Sequence, residues 1–305
     1  MTGYILRRIL YLGPVLFAVA LITFLLMHAV SGGPWDHSKP FDPVTVANLN
    51  HKYGLDQPLW RQFVTFIGNA LHGDLGVSYT NQSRPVSDLL RSGFLTTATL
   101  GLLSFVVAMC LGLTLGIVAS LRRNSLLDRA SSVIAASAAS MPTFVLGVFL
   151  IVLFSVRLHW LPTGGWGSPE QAIMPVIALA ALPMAYIARI TRASMLEVLS
   201  EEYILTARSK GLREPVVLLR HAMRNALIPI LTVAGPIAVS LVTGSFIVES
   251  FFSIPGTGRL FVQGVFARDY GVIMGATLFY ALLVAVANLV VDLLYAVVDP
   301  RIRYG

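Results

Sequence analysis

The sequence predicts an all-α integral membrane protein with about six transmembrane helices. Of its 305 residues, 56% are hydrophobic and 12% are charged, and the mean hydropathy is +0.76. An ordinary soluble domain carries about 25% charged residues. The apolar residues also gather in uncharged runs close to the roughly 20 residues that a helix needs to cross about 30 Å of hydrocarbon. Together these observations exclude a water-soluble globular fold.

Six runs account for the predicted helices. They lie at 9–30, within 93–121, within 130–156, and at 172–188, 226–248 and 271–291. The fourth run is short, and we expect its helix to continue past Arg189. The first run follows Arg7 and Arg8, as in a signal peptide, but its 22 apolar residues exceed the roughly 7–15 of a signal sequence. We therefore expect a retained helix.

The placement of Lys and Arg predicts the orientation, because cytoplasmic segments carry an excess of these residues. With a cytoplasmic N-terminus, fourteen lie inside: Arg7, Arg8, Arg122, Arg123, Arg129, Arg189, Arg192, Arg208, Lys210, Arg213, Arg220, Arg224, Arg301 and Arg303. The short outer segments hold only Arg157, Arg259 and Arg268. Five more lie in the long segment 31–91, where the rule has little force. We expect both termini in the cytoplasm.

One extracytoplasmic insertion, 31–92, follows the first helix. Pro34, Pro40 and Pro43 open it, 44–53 and 58–71 have the pattern of short amphipathic helices, and 73–76 (GDLG) is typical of a turn. The insertion is either a cap over the external mouth or an ordered loop. The predicted division of the chain is 1–95, the first helix with this insertion, and 96–305, the core permease domain.

Small residues and prolines within the runs indicate a packed, kinked bundle. Gly112 with Gly116, and Gly271 with Gly275, form GxxxG pairs, which let helix backbones approach closely. Five prolines each remove a backbone donor and can kink a helix: Pro142, Pro175, Pro183, Pro229 and Pro236. Such breaks favour a bundle around a pathway, although bundles without a pathway contain them too.

Enzymatic signatures are absent from the sequence. None of the three lysines follows a glycine, so no GxxxxGK[ST] loop can hold ATP phosphates. HExxH, GxSxG and paired cysteines are also missing, and Cys110 is expected to pack as a small hydrophobe. We expect no catalytic, metal or cofactor site in this chain.

Few ionisable residues fall within or beside the runs. Asp292 lies one turn after Asn288 at the inner end of the sixth run, and His28 and Glu249 stand at outer ends, where we expect water to reach them. Intramembrane charges are functional candidates by default, but these positions favour structural roles. A secondary transporter would show internal repeats and charges near the midplane, and neither is evident.

The segment 197–225, EVLSEEYILTARSKGLREPVVLLRHAMRN, is too organised for a connector. Ser200-Glu201-Glu202 is typical of a helix start, and Gly211 suits a left-handed end after Tyr203–Lys210. Pro215 suits the first turn of a second helix. That helix has an apolar face and a basic rim, formed by Val216–Leu219, Ala222 and Met223 and by Arg213, Arg220 and Arg224. Such a helix–Gly–helix element needs a partner, which is a protein or anionic lipid headgroups.

Several motifs resemble the peptide branch of ABC-importer permeases, and most closely the B-type permease subunit of oligopeptide and dipeptide importers. Residues 203–211 (YILTARSKG) and 218–225 (LLRHAMRN) resemble that family's EAA loop, so we call 197–225 the EAA-like segment. Also similar are 53–58 (YGLDQP), 73–76 with Ser78, 159–162 (HWLP) and the ending 299–304 (DPRIRY). The resemblance covers essentially the whole chain and implies a type I ABC-importer permease fold.

The resemblance also implies that the EAA-like segment forms a coupling helix in a groove of a partner ATPase. The residues it assigns to that contact are Thr206, Ala207, Arg208, Lys210, Gly211, Val216, Leu219, His221, Met223, Arg224 and Asn225. Only Ala207 and Gly211 keep the EAA consensus. Leu205 stands where the family has glutamate and Arg224 where it has proline.

The implied assembly contains a second, similar permease, two ATP-binding subunits that hold ATP and Mg²⁺, and an extracytoplasmic peptide-binding protein. It lies in the lipid of a bacterial cytoplasmic (inner) membrane and involves no nucleic acid. Oligopeptides are the first expectation for the cargo, followed by dipeptides, glutathione or nickel chelates. Outside the family, the alternatives are a secondary transporter and a membrane scaffold or insertion factor.

Overall fold

The computed structural model describes residues 2–30, 32–35, 42–81 and 84–298. Within these ranges the regular structure is helical, and extended backbone pairs only at a single bridge between Val77 and Pro85. The all-α class is therefore confirmed. Pro40 and the motif at 299–304, with Arg301 and Arg303, lie outside the described residues, as does the side chain of Asp292.

Thirteen helices follow one another in the described ranges, two of them continuing into π-helical turns. They are α1 Thr2–Ala29, α2 Pro43–Tyr53, α3 Leu59–Leu71, α4 Val86–Leu121, α5 Leu126–Ser140, α6 Thr143–Leu150 with π-helical Ile151–Arg157, α7 Pro169–Leu199, α8 Glu202–Ser209, α9 Glu214–Val216 with π-helical Val217–Ala222, α10 Met223–Val242, α11 Phe246–Phe251, α12 Thr257–Phe266 and α13 Tyr270–Val298.

Among the described residues, five helical stretches are long and apolar enough to cross a membrane. They are 10–29, 86–121, 169–199, 214–251 and 270–291, and the pair α5 and α6 supplies a sixth, broken span. This confirms the predicted count of about six. The fourth span does continue past Arg189, to Leu199.

The third predicted span is not one helix. Its two halves, Leu126–Ser140 and Thr143–Arg157, meet at an angle of 106°. Pro142 clashes with a helical conformation of the residue before it, and Met141 is accordingly extended, with φ −89° and ψ 124°. The proline therefore breaks the span, where the run of apolar residues predicted continuity.

The chain divides into two compact units, one comprising Met1–Thr97 and Pro255–Gly305 and the other Ala98–Ile254. In the first unit α1 packs along α13, and Phe63 of α3 packs against Phe17 and Phe24 of α1, with ring centroids 5.6 and 5.3 Å away. The second amphipathic helix of the insertion is thus seated on a spanning helix.

Asp269 ties the end of the insertion to the start of α13. Its buried carboxylate accepts hydrogen bonds from the hydroxyl of Ser78 at 2.5 Å and from the backbone N–H groups of Thr80 at 3.0 Å and Val272 at 3.2 Å. Because a buried carboxylate is costly unless it is hydrogen-bonded, these three donors hold the insertion in one position.

In the second unit, α4 crosses α7 closely at a GxxxG pair. A Cβ atom at Gly112 or Gly116 would collide with the backbone of α7 and with Ile187 or Thr191. The predicted packing role of this pair is confirmed. The pair Gly271 and Gly275, in the first unit, packs against Val77, Leu75 and Val86, so it receives the loop before α4 and the first turn of that helix.

Two expectations about single residues are wrong. Cys110 is exposed on α4, because the packed face of that helix carries Ala108 and Gly112, two positions away on either side. Glu249 is fully buried in α11, rather than open to water at the end of a run. His28 lies beside Tyr270, with ring centroids 5.1 Å apart, and its Nδ1 is 2.9 Å from the carbonyl oxygen of Phe24.

Candidate coupling site

The first half of the EAA-like segment folds as its sequence predicts. Helix α8 starts after Glu201 with Glu202 in its first turn, and it ends at Ser209 with Lys210 as its C-cap. Gly211 follows with φ +76°, and its N–H donates to the carbonyl oxygen of Arg208 at 2.9 Å. A Cβ atom here would meet nothing within 4 Å, so the left-handed backbone, and not lack of space, favours glycine.

The second helix is continuous with a membrane span. Helix α9 begins at Glu214 with Pro215 in its first turn, as predicted, and runs through a π-helical turn at Val217–Ala222 into α10. A π turn carries an extra residue and rotates the side chains before it relative to those after it. Movement of α9 is therefore passed directly to α10.

Part of the segment packs inward. Ile204 and Ala207 of α8 pack with Val217 and Ala222 of the π turn, and with Met195 and Ala226 of the adjoining spans, into what we call the inner cluster. All six side chains are at most 6% exposed. Met223 packs against the same cluster. Ala207 and Met223, which the family resemblance assigned to a partner contact, thus anchor the segment to its own chain.

Four other apolar side chains of the segment point outward, and we call them the exposed strip. They are Leu205, Leu212, Val216 and Leu219, at 55, 40, 39 and 67% exposure. Val216 and Leu219 were predicted, whereas Leu205 and Leu212 were missed. Helical geometry carried the signal for Leu205: Ile204 and Ala207, three residues apart, define the inner face of α8, and Leu205 falls off that face.

Polar contacts brace the turn around Gly211. Arg208 donates from Nη2 and Nε to the two carboxylate oxygens of Glu214, at 2.6 and 3.2 Å. Glu214 thereby raises the pKa of the Arg208 guanidinium. Asn225 donates from Nδ2 to the Tyr203 hydroxyl at 2.7 Å. Glu214 and Tyr203 were not among the predicted site residues, since neither belongs to the apolar face or the basic rim.

The remaining predicted residues surround the strip. Thr206 is exposed and donates its hydroxyl to the carbonyl oxygen of Glu202 at 3.0 Å. His221 is half-buried. The exposed basic residues are Lys210, Arg213, Arg220 and Arg224. The site therefore presents an apolar strip bordered by positive charge, mounted on the start of a spanning helix.

Comparisons with known proteins agree with this architecture. Residues 112–304 match the family model described as "Binding-protein-dependent transport system inner membrane component", and residues 1–101 match the model of its N-terminal region. The oligopeptide transport system permease protein OppB of Escherichia coli strain K12 is 40% identical over the full length of both chains. The glutathione transport system permease protein GsiC of Shigella flexneri serotype 5b is 44% identical, also over the full length of both.

A solved structure supports the fold. An inward-facing structure of the MetNI methionine ABC transporter aligns with a TM-score of 0.60 and 21% identity, covering 71% of this chain and 99% of that one. The predicted type I ABC-importer permease fold and the resemblance to peptide-importer permeases are both confirmed. With its apolar spans, the chain is a multi-pass inner-membrane protein, and it belongs to the family of binding-protein-dependent transport system inner membrane components.

Proposed function

We propose that this chain is a permease subunit of an ABC importer for peptides, and that its EAA-like segment couples transport to ATP hydrolysis in a partner subunit. The observation that supports the coupling role most directly is the exposed strip on α8 and α9. Four apolar side chains at the surface of a protein need a cover, and apolar area removed from water contributes about 25 cal/mol per Å².

The mounting of the strip supports a mechanical role. The inner cluster fixes α8 to the ends of the spans, and α9 continues into α10 without a break in the chain. A force on Leu219 or Val216 would therefore reach the span through a rigid element. The left-handed Gly211 sets the angle between α8 and α9.

The assembly proposed here has this chain beside a second, similar permease, with two ATP-binding subunits on the cytoplasmic side and a peptide-binding protein outside. ATP and Mg²⁺ belong to the ATP-binding subunits, because the sequence lacks a phosphate-binding loop. Both termini lie in the cytoplasm, as the fourteen-to-three distribution of basic residues favours. In this orientation the EAA-like segment faces the ATP-binding subunits.

The proposed cargo is a short peptide, with oligopeptides as the first choice. The relatives named above carry oligopeptide and glutathione transport in their names, at 40 and 44% identity. These identities are too similar to separate the two cargoes, but both molecules contain peptide bonds.

The experiment is ATP-dependent uptake of labelled peptides by the complete complex in proteoliposomes. Dipeptides, glutathione, a pentapeptide and a nickel chelate compete in turn with the label. We expect uptake that requires ATP and the binding protein, with the pentapeptide as the strongest competitor. Competition by the nickel chelate alone would contradict peptide cargo. ATP hydrolysis by the isolated chain, free of partner subunits, would contradict the division of labour.

A further inference from the structure

Helix α3 separates two cavities of different chemistry in the first unit. On one side is an apolar groove of about 510 Å³ between α1, α3 and α13. Its lining includes Gly13 and Phe17 of α1, Ile67 and Leu71 of α3, and Leu278 and Leu282 of α13. These side chains offer no hydrogen-bonding group.

The other side of α3 is polar. Arg61, Thr65 and Asn69, spaced four residues apart, line a second cavity of about 360 Å³ together with Lys52 and Gln57. Four-residue spacing places these three on one face of the helix. Helix α3 is therefore amphipathic in its surroundings as well as in its sequence, with a polar cavity on one flank and the apolar groove on the other.

The groove lies at the depth of the hydrocarbon. Phe17 is seven residues from one end and twelve from the other end of the span 10–29, or about 10 and 18 Å at 1.5 Å per residue. Leu278 is eight residues from Tyr270, the start of the span 270–291, or about 12 Å by the same rise. This depth holds whichever way the spans are oriented.

The groove is also continuous with the lipid-facing surface of the two spans. Phe17 and Leu282 line it and are about half exposed, as are the neighbouring side chains of Val15 on α1 and Val284 on α13. We propose that the acyl chain of a membrane phospholipid occupies this groove and packs between α1, the last turn of α3 and α13.

The lining favours a hydrocarbon chain over a peptide segment. A peptide backbone would bring N–H and C=O groups into a groove without partners for them, at a large desolvation cost. An acyl chain has no such groups, and each methylene that it buries adds favourable free energy. The occupied groove would hold α3 in the membrane and keep its polar face toward the second cavity.

The test uses the complete complex in nanodiscs that contain phosphatidylethanolamine with a photoreactive diazirine in the middle of one acyl chain. After illumination, mass spectrometry maps the labelled peptides. The main variant is Gly13→Leu, which fills the groove. The matched control is Gly68→Leu on α3, outside the groove lining. Neither new side chain meets an atom within 4 Å of its Cβ, and both exchanges raise helix propensity.

We expect adducts on the groove-lining peptides of α1, α3 and α13. Gly13→Leu should lower this labelling about tenfold, the effect of losing roughly two buried methylenes, and Gly13→Ala should lower it less. Gly68→Leu should leave it unchanged. Absence of adducts from the lining would overturn the proposal, as would equal labelling in Gly13→Leu and Gly68→Leu. Cross-linking of the lining to a partner protein in place of lipid would overturn it too.

Discussion

Helix α3 and the EAA-like segment place the same kind of side chain in opposite surroundings. Both are short amphipathic elements seated on the ends or flanks of spanning helices, and both leave large apolar side chains exposed. Around the groove beside α3 the lining is apolar and lies at the depth of the hydrocarbon. Around Leu219 the exposed neighbours include Arg220 and Arg224. The setting, more than the apolar residues themselves, distinguishes a lipid-facing surface from a protein-docking surface.

A second difference is the presence of a turn. Helix α3 joins no hinge of its own, whereas α8 and α9 meet at Gly211 in the left-handed region. A helix that only needs to stay in the membrane is held by packing. An element that transmits movement needs a defined angle and a rigid connection to a span, and the turn with its brace of Arg208 and Glu214 supplies both.

The largest expected effect comes from exchanging neighbouring valines that lie on opposite sides of the segment. Val217 is fully buried in the inner cluster and Val216 is 39% exposed. Val217→Asp would bury an unpaired charge, which costs several kcal/mol (roughly 3–5), so we expect the protein to disappear from the membrane. Immunoblots of membrane fractions measure this.

The matched variant Val216→Asp should be present at normal levels but lose peptide uptake, because it alters only the exposed strip. If Val216→Asp and Val217→Asp reduced abundance equally, the distinction between the inner cluster and the exposed strip would be wrong.

A smaller effect is expected at the turn. Gly211→Val forces a β-branched residue into the left-handed region, at a cost of roughly 1–2 kcal/mol, borne by one surface turn. We expect normal abundance, with a fall in peptide uptake and in the ATPase stimulation produced by loaded binding protein. Gly211→Asn is the control, because asparagine tolerates this conformation better.

The outcome of the glycine exchange discriminates between roles. Loss of Gly211→Val from the membrane would make this glycine a folding residue. Unchanged uptake would remove the segment's angle from the coupling mechanism.

The smallest effect is expected from the brace across the turn. Arg208 and Glu214 are 39 and 53% exposed, and exposed ion pairs contribute little to stability. Glu214→Gln should leave abundance unchanged and slightly lower ATPase stimulation, with the difference from wild type shrinking as salt screens the pair. The charge-swapped double variant, Arg208→Glu with Glu214→Arg, should recover the loss. A complete loss of uptake in Glu214→Gln would mean that this carboxylate has a role beyond the brace.

Much of this architecture follows from local sequence patterns. Run length predicted the spans, and Gly211 and Pro215 predicted the turn between α8 and α9, because each depends on a few neighbouring residues. The angle of 106° at Pro142 and the π turn at Val217–Ala222 depend on distant packing and could not be predicted. The same holds for Leu205, exposed, and Ala207, buried: both lie in an apolar-rich helix, and the position of α7 and α10 decides which one packs.

The most direct test of the coupling role replaces Leu219 with a photo-cross-linking amino acid, with Trp60 on α3 as the matched position. Both side chains are more than two-thirds exposed, so exposure alone does not separate them. In membranes that contain the complete complex, the probe at Leu219 should form an adduct with an ATP-binding subunit, and the probe at Trp60 should form none with that subunit. The absence of this adduct at Leu219, or its formation at both positions, would contradict the assignment of the EAA-like segment as the docking element.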